Sequence, residues 1–137
     1  MLLTSFSFAQ TEDNESIRVR FRGLSDEQIN QSSLSKLIFA SEISEAKTLA
    51  LKDIENGTPF LLLAGGIAST FHTPDLSFED KYGVYFYDYG CVSAGYEFMT
   101  AYNEIIFELL ETKYGKKWMK EIRKDVIGFK QWEKKSK

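Results

Sequence analysis

A single cysteine, Cys91, and a single histidine, His72, carry the most reactive side chains of the 137-residue sequence. A thiol becomes a nucleophile when a nearby imidazole lowers its proton affinity and a third group fixes the ring. Cys91 as nucleophile, His72 as base and Asp88 as orienting carboxylate, with Asp75 as the alternative orienter, would make a hydrolase or transferase. The ordinary behaviour of these residue types points elsewhere. Cysteine is among the most often buried residues, and Cys91 follows an aromatic stretch. His72 stands between Phe71 and Thr73, before Pro74, where a loop histidine is expected. The residues therefore favour a core thiol over an enzyme.

Cys91 belongs to the stretch Lys81–Tyr96, KYGVYFYDYGCVSAGY, which holds five of the seven tyrosines. Alternation within it puts Tyr85, Tyr87 and Tyr89 on one strand face and Val84, Phe86 and Asp88 on the other. An exposed tyrosine face would suit a glycan or protein partner, whereas a face covered by a helix would be packing, which is the preferred reading. Gly65 and Gly66, directly after the apolar run Phe60–Ala64, could let a ligand approach backbone amides. They match neither a dinucleotide-binding nor a P-loop spacing, so no cofactor is expected. One histidine and one cysteine make no usual zinc site, and the acids show no calcium-loop spacing, so no metal is expected.

These residues need elements to position them. Ser16–Arg22 alternates Ile17, Val19 and Phe21 with three arginines, the period of a strand. Ser25 and Gln28 form a capping box opening a helix that carries Ile29, Leu34, Leu37 and Ile38 inward. A second helix is expected from Ser41 to Asn56, with Ile43, Ala46, Ala50 and Ile54 facing the core and Gly57 ending it. Phe60–Ala64 reads as a fully buried central strand, Leu76–Tyr82 as a brief helical turn and Val84–Asp88 as an aromatic strand. A long amphipathic helix spans 96–114, and a last helix runs from Lys116 to about Val126, stopping at Gly128. This order implies an α+β fold, with α/β the alternative: a mixed sheet of three or four strands, at least one pair parallel, packed by helices.

Composition sets the outer bounds. Residues 10–137 are expected to form one globular domain. Apolar residues at 43% and charged residues at 27% are ordinary globular usage, and no run approaches the roughly 18 apolar residues of a spanning helix. Met1–Ala9 reads as the end of a secretory signal, with Ser7 and Ala9 at the cleavage positions; lacking a basic start, it reads as truncated. An ordinary buried strand or helix is the alternative. An exported protein, periplasmic or extracellular, follows. From Lys113 onward ten Lys and Arg face three acids, a net +7, which leaves −10 for the first 112 residues. That segregation either steers an anionic partner or docks the basic segment on the acidic remainder. Nucleic acid is disfavoured, because the apolar residues of this segment sit at core-facing spacing.

The sequence thus predicts a small exported binding module for a protein, peptide or glycan, using the loops after its central strands (Gly65, Gly66) and the tyrosines Tyr85, Tyr87 and Tyr89. The rival is the thiol enzyme of Cys91 with His72.

Overall fold

The computed structural model describes residues 24–64, 73–90 and 92–136. The strand expected at Ser16–Arg22 lies outside them. The chain divides into two compact units, Met1–Gln31 and Ser32–Lys137. In the first, helix α1 (Asp26–Gln31) opens with the expected capping box. Gln28 N–H donates to Ser25 Oγ at 3.1 Å, and Ser25 N–H donates to Gln28 Oε1 at 2.9 Å. The helix does not run on to Ile38. It stops before Ser32 and Ser33, residues that favour caps over helix interiors.

The second unit begins with α2 (Leu34–Ile38) and α3 (Ile43–Glu55). Ala46 and Ala50 are fully buried, and their small side chains let α3 lie close along the long helix described below. Ile43, expected inward, is 42% exposed; the residue that completes the buried stripe is Asp53. Helix α3 closes as its sequence predicts. Gly57 adopts φ 78°, Thr58 N–H donates to Asp53 O at 2.8 Å, and Gly57 N–H donates to Ile54 O at 3.1 Å.

Strand β1 (Phe60–Leu62) follows Pro59, and β2 (Tyr85–Tyr87) pairs with it in parallel, Phe60 opposite Tyr85 and Leu62 opposite Tyr87. The crossover between them is α4 (Thr73–Tyr82), a full helix where only a brief turn was expected. Helix α5 (Tyr96–Tyr114) matches the predicted 96–114 and ends at Gly115, φ 70°. One 3-10 turn (Lys117–Lys120) and a short helix α6 (Phe129–Lys135) complete the chain. Phe107 of α5 stacks on Trp118 at 5.5 Å, with Phe129 at 6.0 Å and Trp132 at 5.5 Å from the same ring.

The described sheet has two strands rather than three or four, and side chains close its edges. Pro59 O and Leu63 N–H bond to β2, so the groups of Phe60 and Leu62 face the other edge. There α5 supplies acceptors in place of a third strand: Tyr102 Oη takes Phe60 N–H at 3.3 Å, and Asn103 Oδ1 takes Leu62 N–H at 2.9 Å. On the far edge of β2, Glu79 of α4 accepts Phe86 N–H at 2.8 Å. The predicted central strand is realised in its burial, since Phe60, Leu61, Leu62 and Leu63 are all buried.

The last helix expected at Lys116–Val126 does not form. Its start forms the 3-10 turn and its end is used by β1: Ala64 N–H donates to Asp125 O at 2.8 Å, Ile127 N–H donates to Leu62 O at 3.0 Å, and Leu63 bridges Val126 in antiparallel fashion. Groups committed to a neighbouring strand cannot also close helical rings. Among the described residues no helix is long and apolar enough to cross a membrane.

Candidate functional site

Parallel pairing sends the segments after β1 and β2 out of the same end of the sheet, the place where open parallel sheets bind ligands. Four residues singled out from the sequence, Gly65, Gly66, His72 and Cys91, fall in those segments and lie outside the described residues.

Asp88 is described and buried. Its Oδ1 accepts Gly90 N–H at 2.8 Å, a local turn that fixes the carboxylate. Beside it sits an ion cluster that sequence reasoning missed. Arg123 pairs with Asp125 through Nε (2.9 Å) and Nη2 (2.7 Å), and with Asp75 through Nη1 (3.2 Å). Burial acts to lower the Arg123 pKa; the bonds to Asp125 and the charges of Asp75 and Asp88 outweigh it and leave the guanidinium above its usual value. The cluster ties α4 to the turn that follows the 3-10 helix. Among the described residues no three His, Cys, Asp or Glu side chains converge on a metal position.

The tyrosines divide as the alternation predicts, with Val84, Phe86 and Asp88 buried and Tyr85, Tyr87 and Tyr89 half-buried. Tyr85 and Tyr87 flank the Phe60 ring at 6.1 and 6.0 Å, and Tyr89 meets Tyr87 edge-on at 5.0 Å. Tyr89 Oη donates to Leu34 O of α2 at 2.6 Å. Burial pushes the hydroxyls of Tyr85 and Tyr89 up in pKa. These rings are packed on their neighbours and remain part-exposed.

The open feature at this end is a groove of about 490 Å³. Ala64, which directly follows β1, lines it together with Tyr96 at the start of α5, Lys124, the turn Asp125–Gly128, Lys130 and Gln131. Tyr96 is 60% exposed. Lys124 Nζ lies 3.8 Å from Glu133 Oε2 and 5.0 Å from the Phe129 ring centre, while Lys130 makes no ion pair among the described residues. Two ammonium groups, a phenol ring and an amide can bind an anionic group and stack on a flat one. The described lining residues include no serine, threonine, cysteine or histidine.

The sequence signal for this groove was the basic C-terminal segment, which periodicity assigned to the solvated face of a helix. The chain turns at Gly128, φ 83°, and that turn brings Lys124 and Lys130 to one cavity.

A second polar feature, the buried pair Asp53 and Tyr102, is structural. Asp53 Oδ1 accepts Ser33 N–H at 3.0 Å and Oδ2 accepts Tyr102 Oη–H at 2.6 Å. Desolvation raises both pKa values. Neither residue lines any groove described here. No family model, curated protein or solved structure matches this chain.

Proposed function

We propose that the protein is an exported binding module that recognises a carboxylate-bearing protein, peptide or glycan in the groove between Ala64, Tyr96, Lys124 and Lys130. The observation that carries this reading is the position of Lys124, Lys130 and exposed Tyr96 together at the carboxyl end of the parallel pair. The ammonium groups meet the ligand's carboxylate, and the Tyr96 ring covers its adjoining flat or apolar surface.

Arrays of acidic peptides and acidic glycans, followed by calorimetry on the purified full chain, test the reading. Ligands bearing carboxylates should bind and their neutral counterparts should not. Lys130→Glu should weaken binding roughly tenfold, since one attraction is replaced by a repulsion. Acidic ligands that bind no better than neutral ones, or that ignore Lys130→Glu and Tyr96→Ala, would sink the proposal.

A further inference from the structure

A second groove, of about 460 Å³, adjoins the first and is lined by Lys116, Met119, Lys120, Lys124, Glu133 and Ser136. Lys124 lines both, so the two grooves meet at that side chain, with Lys130 in the first and Lys120 and Lys116 in the second. Most of this charge is unused by the fold. Among the described residues, only Arg123 of the basic segment forms an ion pair with an acid of the first 112 residues, Asp75. Lys113, Lys117, Lys120, Lys130, Lys134 and Lys135 are exposed and make no ion pair among the described residues.

The surroundings of these lysines select the partner. A membrane surface calls for exposed aromatic or aliphatic anchors beside the cations. Here Trp118 and Phe129 are fully buried and the Trp132 indole N–H is donated to Glu111 Oε1 at 3.1 Å, which leaves Tyr96 as the exposed ring among the residues lining the two grooves, one anchor where a membrane surface takes several. Nucleic acid favours arginine forks and exposed stacking rings. Arg123, the segment's arginine, is held by Asp75 and Asp125. Each groove also contains one carboxylate, Asp125 or Glu133, which opposes a dense row of phosphates but tolerates separated carboxylates. Met119 adds an apolar patch between the cations of the second groove.

We propose that the ligand is an extended acidic segment of another protein, carrying an apolar residue between its carboxylates, which lies along both grooves with that residue over Met119. This rests on the reading of the first groove as the binding site. Spanning both grooves gives affinity by linking two weak sites on one chain, so length matters more than any single contact.

Fluorescence anisotropy of the full chain with labelled triglutamate and with a longer Glu-Leu-Glu repeat peptide tests it. The longer peptide should bind at least roughly tenfold more tightly, a modest gain for linked sites. Lys120→Glu, which breaks no bond seen in the structure, should remove that gain and weaken triglutamate binding far less than Lys130→Glu does. Lys130→Glu should weaken both. If the longer peptide gains nothing, or Lys120→Glu leaves its gain intact, the two-groove reading is overturned while triglutamate binding sensitive to Lys130 keeps the first groove. If neither peptide binds, both readings fall. Tighter binding to phosphatidylserine vesicles or to single-stranded polyuridylate than to the repeat peptide would overturn the polypeptide assignment.

Discussion

Asn103 holds Leu62 by both of its peptide groups: Oδ1 accepts the Leu62 N–H and Nδ2 donates to Leu62 O, each at 2.9 Å. The same Nδ2 donates to Ile127 O at 2.8 Å. One fully buried amide thus fixes the last residue of β1 and the turn that lines the groove. Asn103→Leu keeps the number of side-chain heavy atoms and removes the partners. Leu62 O retains the Ile127 N–H, whereas Leu62 N–H and Ile127 O are left unsatisfied in the interior. The expected cost is about 2–3 kcal/mol, read as a lower urea midpoint at unchanged slope. A loss under about 0.5 kcal/mol, the range of ordinary surface substitutions, would show that water or a shift of the turn replaces Asn103.

Tyr102 makes stability depend on pH at the alkaline end. Burial, reinforced by the charge of Asp53, holds its proton well beyond the ordinary value of 10.0. Above pH 10 the unfolded chain releases this proton while the native state keeps it, so the native state binds more protons and stability falls as pH rises. The contribution is complete below pH 10 and is lost as pH climbs toward the native pKa. Tyr102→Phe lacks the titrating group. Its stability difference from the natural chain should therefore shrink with pH, by up to about 1.4 kcal/mol per unit above pH ~10 in urea titrations. A difference constant with pH would mean that Tyr102 ionises natively as freely as in the unfolded chain.

How much of this was legible beforehand depends on where each residue's pattern is local. The Ser25–Gln28 capping box, the Gly57 terminus and helix 96–114 rest on contacts within a few residues, and the structure has all three. The C-terminal segment failed because Lys116–Val126 has good helical periodicity, yet Asp125–Ile127 bonds to β1, more than sixty residues away in sequence. The bonds made by Asp53, Tyr102 and Asn103 were invisible for the same reason. A polar residue on a helix's apolar stripe reads as a flaw until its distant partner is known, and here the partners are Ser33, Phe60 and Leu62. The groove inherits that difficulty, since Ala64 and Lys130 meet only through the Asp125–Gly128 turn.

Cys91 and His72 are open to a chemical test independent of their placement. Asp88, the carboxylate that would orient the imidazole, already accepts Gly90 N–H and acts on Arg123. A core thiol should be alkylated slowly in the native protein and rapidly only after unfolding, with no change in His72→Ala. A fast native rate titrating well below the free thiol value of about 8.5 and slowed without His72 would establish a thiol enzyme and displace the binding module.

Gly128 links the fold to the groove and separates two costs that are usually merged. Its φ of 83° disfavours any side chain, and a Cβ there would stand 3.1 Å from Thr100 Cγ2. Gly128→Ala should cost roughly 2 kcal/mol, about half from the left-handed backbone and half from the squeeze. Thr100→Ser deletes the offending methyl and keeps the hydroxyl that donates to Tyr96 O at 2.9 Å. In a double-mutant cycle the pair should show a favourable coupling of about 0.5–1 kcal/mol, with the backbone cost remaining. Zero coupling would place the whole cost in the backbone; complete rescue would place it in the contact. Since Gly128 lines the groove, binding of acidic peptide should weaken in Gly128→Ala and recover in the double variant to the same extent as stability. Recovery of stability without recovery of binding would show that the turn's own conformation, and not its packing on α5, sets the positions of Lys124 and Lys130.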